Sequence, residues 1–152
     1  MKLAEALILR ADKQKRLEQL KERLLRNARV QEGTQPAEKP EKLVAELETL
    51  TTELVELIQQ INRTNANTSF DKAHTLADIL AERDMLAQRQ SVYRELAKSA
   101  SVTHDRFMRT EIKFVASVKV AEMQKRADEL AREHRELDTR IQELNWKIDL
   151  AE

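Results

Sequence analysis

Apolar side chains recur every three or four positions along most of the chain, which is the spacing of amphipathic α-helices. Four such runs are separated by stretches that are polar or contain proline. They predict four helices, over about 3–30, 41–63, 76–100 and 118–149. A short loop containing Gly33, Pro36 and Pro40 joins the first two helices, and a loop of this length makes them antiparallel neighbours.

The last run has the most regular pattern. Its inward positions alternate three- and four-residue steps, and all but one are apolar: Val120, Met123, Ala127, Leu130, His134, Leu137, Ile141, Leu144 and Ile148. Such a heptad pattern is typical of coiled-coil packing. At about 1.5 Å per residue the helix would be roughly 45–50 Å long. We therefore expect an elongated antiparallel helical bundle.

The composition also indicates an all-α fold, in a single domain over residues 1–152. One glycine, two prolines and 3% aromatic residues are too few for a turn-rich β architecture. The segment 111–115 is an exception, because its polar and apolar residues largely alternate. It predicts a short extended or β segment that pairs with Thr68–Phe70, although a linker or the end of the third helix would also fit.

Charge and cysteine content limit the possible partners and location. The chain has 27 basic and 27 acidic residues, so it lacks the basic excess of a nucleic-acid-binding protein. It has no cysteine, which excludes disulfides and thiol chemistry. Its apolar runs are too short for a signal peptide or a membrane span. We expect no nucleic-acid partner, no membrane association and a cytoplasmic location.

The predicted shape has a consequence for assembly. An elongated helical chain with few aromatic residues buries little core per residue, and one apolar seam can remain uncovered by its own chain. An uncovered leucine stripe favours self-association, because burying apolar surface contributes about 25 cal/mol per Å². The sequence therefore predicts a homo-oligomer.

Several polar residues fall on faces that are otherwise apolar. They are Arg10, Lys13 and Gln14 in the first helix, Arg83 and Gln90 in the third, and His134 in the fourth. A buried charge is costly unless it is paired. These residues either fix helix register or oligomeric state, as polar seats do in coiled coils, or they bind a ligand in a pocket lined by Arg10 and Arg83.

A polar, non-helical stretch is predicted after the second helix. Amide and hydroxyl side chains compete with the helical backbone for hydrogen bonds, so the run that starts at Asn62 should form a loop. Loops beside a rigid bundle often carry binding sites. The candidate residues of this loop site are Asn62, Arg63, Asn65, Glu111 and Lys113; alternatively they cap helices and close a connection.

No spacing of metal-binding or catalytic residues is present among the three histidines, and Asp71-x-x-His74 is a weak pattern. We predict no metal, no cofactor and no catalytic residue. The pairs Glu53/Glu56 and Glu133/Glu136 leave open a metal-dependent nucleotide-processing protein. The leading hypothesis is a non-enzymatic, self-assembling structural or interaction protein, and a small-ligand-binding protein is the alternative.

A set of ordered motifs resembles a known family. The motifs are the opening MKLAEALILRADKQKRLEQLKERL, INRTN at 61–65, TLADILAERD at 75–84, EIKFV at 111–115 and ELDTRIQELNW at 136–146. They resemble the septicolysin-like family of small bacterial helical proteins, which is mainly a domain of unknown function. The resemblance implies an all-α bacterial protein, and its cytolysin label implies a membrane-lytic activity. Thiol-activated pore formers are, however, large, β-rich proteins with a cysteine, unlike this chain.

Overall fold

Four α-helices dominate the computed structural model, which describes residues 1–101 and 113–152. They are α1 (Leu3–Arg26), α2 (Pro40–Asn67), α3 (Leu76–Ala100) and α4 (Val120–Lys147). No β-strand occurs within these two ranges, and the all-α prediction is confirmed. The expected extended segment at 111–115 lies partly outside the described residues, and residues 113–116 are neither helix nor strand.

Local hydrogen bonds explain where two of the helices begin. At α1 the backbone N–H of Lys2 donates to Glu5 Oε2 over 2.7 Å. At α3 the hydroxyl and backbone N–H of Thr75 both donate to Asp78 Oδ2 over 2.8 Å, while Asp78 N donates back to Thr75 Oγ1 over 3.3 Å. This reciprocal arrangement is a capping box, which satisfies donors that the first helical turn leaves free. Pro40 occupies the first turn of α2, where its missing N–H is not needed.

The connection between α1 and α2 is also stabilised locally. Asn27 Nδ2 donates to the carbonyl oxygen of Arg23, and Asn27 Oδ1 accepts from the backbone N–H of Glu38, over 2.8 and 3.1 Å. Gly33 has φ +83°, a left-handed conformation that residues with a Cβ rarely adopt. Gly33 therefore lies in a turn, within the loop that the sequence predicted, although α1 ends at Arg26 rather than near residue 30.

The chain divides into two compact units, the first of which comprises Met1–Ser69 and Leu144–Glu152. Here α1 packs against α2 around a core of Leu20, Leu43 and Leu50. Two ion pairs join the two helices outside that core, Lys13–Glu53 at 2.5 Å and Arg16–Glu46 at 2.6 Å. A third, Arg23–Glu38 at 2.6 Å, joins α1 to the loop before α2. Apolar burial and matched charges thus select the same antiparallel register.

The first unit also contains a junction between the two chain ends. Leu3 N donates to Ile148 O over 3.0 Å, and Leu150 N donates to Met1 O over 2.9 Å. Lys2 Nζ lies 2.8 Å from Asp149 Oδ1. We call this arrangement the terminal junction; it holds the first turn of α1 against residues 148–150.

The second unit comprises Phe70–Glu143. In α3 the residues Leu76, Ile79 and Ala97 are buried, and in α4 Ala127, Leu130 and Ile141 are buried. Within this unit Arg83 Nη1 donates to Asp138 Oδ1 over 3.0 Å. The guanidinium of Arg140 lies 4.6 Å from the centre of the Phe70 ring, a cation–π distance.

The inward faces predicted for α3 and α4 agree well with the burial of individual side chains. All nine positions of the heptad pattern, including His134, are buried or half-buried. Near the end of α3, Leu96 is 37% exposed and the neighbouring Ala97 is buried. Whether the heptad face takes part in coiled-coil packing stays a prediction.

Candidate functional site

The polar residues predicted on the inner face of α1 have three different environments. Lys13 is half-buried and paired with Glu53, and this hydrogen bond lowers the pKa of the Glu53 carboxyl. Gln14 is exposed, so its predicted inward position is wrong. The physical reason is helical geometry: one residue turns the side chain by about 100°, and Lys13 already occupies the inner face.

Arg10 is half-buried, and its Nε atom is buried without a hydrogen-bond partner. In the described part of the chain, no other buried side-chain nitrogen or oxygen is left without a partner in this way. Buried polar groups in proteins are almost always hydrogen-bonded, so each exception calls for an explanation. Among the polar residues predicted on inner faces, Arg10 is therefore the one with a buried side-chain donor that makes no hydrogen bond in the described structure.

Arg83 and His134 belong to the second unit. Arg83 is half-buried and is paired twice, with Asp138 at 3.0 Å and with Asp84 at 3.2 Å. Its charge is therefore matched within its own unit. His134 is half-buried on the inner face of α4, as the sequence predicted. A ligand pocket shared by Arg10 and Arg83 remains a sequence prediction.

The predicted loop site is not a loop at its first three residues. Asn62, Arg63 and Asn65 lie in the last turns of α2, which continues to Asn67. The prediction is wrong because tertiary contacts outweigh the low helix propensity of this stretch. Arg63 Nη2 donates to Glu152 O over 3.0 Å, and so contributes to the first unit rather than to a free loop. Lys113 is exposed, and Glu111 lies outside the described residues.

Sequence reasoning missed the role of Thr64 in the same stretch. Its side chain is buried. Its hydroxyl donates to Gln60 O over 2.8 Å and accepts from Ala151 N over 2.9 Å. Thr64 lies three residues after the buried Ile61, and residues three apart share a helix face. This spacing was the signal in the sequence that Thr64 would be buried.

A compact charged turn lies just before α3. Asp71 Oδ1 accepts from the backbone N–H groups of Ala73 and His74, each over 2.8 Å, and contacts His74 Nδ1 at 3.0 Å. The backbone hydrogen bond from Ala73, and then the His74 ring, lower the pKa of Asp71. In return the hydrogen bond that Asp71 accepts from the His74 ring raises the pKa of His74, whose Nε2 lies 3.8 Å from Glu82 Oε1. Within residues 1–101 and 113–152, no group of three or more histidine or carboxylate side chains is arranged to hold a metal ion.

An apolar groove lies on the first unit, between α1 and α2. Its volume is about 380 Å³, and we call it the leucine groove: it is lined by Leu17, Leu24, Leu25 and Leu47, with Glu18 and Lys21 beside them. Leu17 and Leu24 pack on the core beneath, whereas Leu25 is 67% exposed. The adjacent pair Leu24–Leu25 was the available signal, because successive side chains on a helix point about 100° apart and Leu24 already follows the inner face.

These features define a class: an all-α protein whose first two helices form an antiparallel pair with an open apolar groove. The chain belongs to the family of unknown function DUF6847, whose model matches residues 10–150. It is also similar to a functionally unknown conserved protein from Corynebacterium diphtheriae, known from a crystal structure, with 47% sequence identity and a TM-score of 0.93. That similarity covers 99% of this chain and 98% of the other. No curated protein matches the chain.

The family assignment corrects the sequence-based resemblance. The matching model and the similar structure both belong to proteins of unknown function, and neither points to a septicolysin-like family. The resemblance to the septicolysin-like family was therefore wrong. Within the residues that the structure describes, no helix is both long and apolar enough to cross a bilayer.

Proposed function

We propose that this chain is a non-enzymatic helical protein that works by binding a second copy of itself through the leucine groove. The observation that supports the proposal is the exposure of Leu25, at 67%, beside the half-buried Leu17 and Leu24. Covering a leucine side chain contributes about 1.5–3 kcal/mol, so an open leucine groove gains from a partner. The predicted cytoplasmic location, single domain and coiled-coil contacts are parts of the same proposal.

The charges beside the groove favour a second copy as the occupant. Glu18 and Lys21 have opposite charges and lie one helical step apart on α1. In a twofold dimer the same surface meets itself, so each copy offers an acid and a base to the other. Such a surface is complementary to itself in charge as well as in its apolar character.

The proposal predicts that Leu25→Lys weakens self-association. A lysine in the groove would place a charge where an apolar contact is needed, and the dimer fraction should fall at least tenfold at a fixed concentration. Light scattering coupled to size-exclusion chromatography, over micromolar concentrations, measures that fraction. The matched control is Val92→Lys, since Val92 is 62% exposed on α3 in the other unit.

Two results would contradict the proposal. A wild-type chain that is monomeric at tens of micromolar would exclude self-assembly as its mode of action. A dimer that survives Leu25→Lys but is lost with Val92→Lys would place the interface on the second unit. Circular dichroism of both variants checks that helix content is unchanged, because both substitutions are at exposed positions.

A further inference from the structure

A cavity of about 380 Å³ lies in the second unit, between the C-terminal part of α3 and the N-terminal part of α4. We call it the α3–α4 cavity. Its lining includes Ala97 and Ala127, which are both buried. Each side chain is a single methyl group, so the two helices leave a hollow that larger residues would fill. The volume is near the lower end of the range for small-molecule sites, about 300–1,000 Å³, and suits a small ligand.

The two walls of the α3–α4 cavity carry opposite charges. Arg94 and Lys98 line it from α3, whereas Gln124 and Asp128 line it from α4. All four residues are exposed, so a dissolved molecule can reach them. In the part of the chain that the structure describes, no hydrogen bond or ion pair joins these side chains across the cavity. The cavity thus presents two cations on one side and an acid with an amide on the other.

Helix stability alone does not explain this arrangement of charges. Arg94 and Lys98 are four residues apart on α3, and like charges at that spacing repel each other. The dipole of α3 favours cations in the last turn, which contains Lys98 but not Arg94. Asp128 could pair with Arg132, four residues on, but Arg132 lies 3.8 Å from Glu136 instead. These charged groups are therefore available to a ligand.

The chemistry of the two walls defines the class of ligand. The guanidinium fork of Arg94 and the ammonium group of Lys98 bind the oxygens of a carboxylate or a phosphate. The carboxylate of Asp128 binds an ammonium group. A ligand with one charge would meet a like charge on the opposite wall, whereas a ligand with both charges matches both walls.

We propose that the α3–α4 cavity binds a small zwitterion. Its carboxylate or phosphate group lies against Arg94 and Lys98, and its ammonium group lies against Asp128, with the amide of Gln124 as a further hydrogen-bonding group. The two alanines form an apolar floor beneath the bound molecule. This site shares no residue with the leucine groove, so one proposal can fail while the other stands.

The test follows the binding of two zwitterions, β-alanine and phosphoethanolamine, by NMR of the alanine methyl groups. The methyl signals of Ala97 and Ala127 should shift as the cavity fills, whereas the signal of Ala6, buried in the first unit, should not. Sodium acetate and ethylammonium chloride, at equal ionic strength, carry one of the two charges each. Both should bind about three- to fivefold more weakly than β-alanine, the range expected for losing one exposed ion pair. The tighter zwitterion shows whether the site prefers a carboxylate or a phosphate.

Single substitutions assign the two charges to the two walls. Arg94→Gln and Asp128→Asn should each weaken the binding of both zwitterions about three- to fivefold. Asp128→Asn should not weaken the binding of acetate, because it removes a carboxylate that repels this anion. The matched control is Arg89→Gln, since Arg89 is an exposed arginine of α3 that does not line the cavity. Circular dichroism checks that helix content is unchanged, as expected for substitutions at exposed positions.

Three outcomes would overturn this inference. The first is that neither zwitterion shifts the methyl signals of Ala97 and Ala127. The second is that acetate or ethylammonium binds as tightly as both zwitterions, which would show that only one wall takes part. The third is that Arg89→Gln weakens binding as much as Arg94→Gln, which would assign the effect to the overall charge of α3.

Discussion

The charged side chains on the inner faces of the helices differ in whether a neighbouring residue pairs with them. Lys13 and Arg83 are half-buried and paired, whereas Arg10 is half-buried with an unpartnered Nε. The sequence could predict that these residues lie on inner faces, because helical spacing alone determines the face. It could not predict which of them would be paired. The partners Glu53 and Asp138 lie 40 and 55 residues away, and only the fold brings them close.

The turn before α3 leads to a prediction about pH at the same scale. The hydrogen bond that Asp71 accepts from the His74 ring raises the pKa of His74 above 6.5, its usual value. A group whose pKa is raised in the folded state stabilises that state below its unfolded pKa, and the contribution is lost as the pH rises through the folded pKa. We therefore expect the ring of His74 to titrate above 6.5, as measured by NMR of the imidazole carbons. In Asp71→Asn it should titrate closer to 6.5.

The stability of the folded protein should also depend on the protonation of His74 and Asp71. The contribution of Asp71, whose pKa is lowered from 3.8, is present above that value and is lost as the pH falls through its folded pKa. The melting temperatures of the wild type and His74→Gln should therefore differ most between pH 3.8 and 6.5, the usual pKa values of Asp71 and His74. They should differ least above the raised pKa that His74 has in the folded protein. An unchanged His74 titration in Asp71→Asn would exclude this pair as the cause.

At the scale of helices and loops, the spacing of apolar residues predicted four elements and most inner faces. The C-terminal part of α2 was the main failure. Its amides and hydroxyls have low helix propensity, yet the helix continues to Asn67 because Ile61 and Thr64 are buried in the first unit. The leucine groove was also missed, since the spacing of apolar residues along α1 did not account for the exposed Leu25. Helix propensity and the spacing of apolar residues describe one helix at a time. Both errors arose because the outcome depends on contacts with a second element.

The loop between α1 and α2 offers a test of backbone conformation. Gly33→Ala should destabilise the protein by about 1 kcal/mol, because a Cβ disfavours the left-handed φ of +83°. No atom lies within 4 Å of the added Cβ, so steric contact contributes nothing to this effect. Urea unfolding measures the difference, with Gln35→Ala in the same exposed loop as the control. Equal stability of Gly33→Ala and the wild type would show that the turn has another conformation.

At the scale of the whole molecule, the family and a similar crystal structure show a shared fold of unknown function. The first unit is discontinuous in sequence, because it contains both Met1–Ser69 and Leu144–Glu152. Sequence periodicity cannot reveal such an arrangement, since the contacts involve short irregular segments at the two ends. The hydrogen bonds of the terminal junction and of the Thr64 hydroxyl could therefore be seen only in the folded chain.

The contribution of that arrangement can be measured with Thr64→Val. Valine keeps the shape of threonine but cannot accept the hydrogen bond from Ala151 N, and we expect a loss of about 1–2 kcal/mol in the free energy of unfolding. The control is Thr52→Val, because Thr52 makes the same hydrogen bond within α2 but is exposed. Hydrogen exchange at the Ala151 amide should accelerate in Thr64→Val alone. Similar losses in both variants would assign the effect to helix propensity.

The terminal junction also determines when the molecule can be completed during synthesis. The amide of Leu3 is synthesised long before its acceptor, the carbonyl oxygen of Ile148. Helices α1 and α2 can pair while synthesis continues, since they are close in sequence. The first turn of α1 cannot acquire its final partners until residues 148–150 have also emerged from the ribosome. The terminal junction therefore forms later than α1 and α2 can pair, by joining an early segment of the chain to a late one.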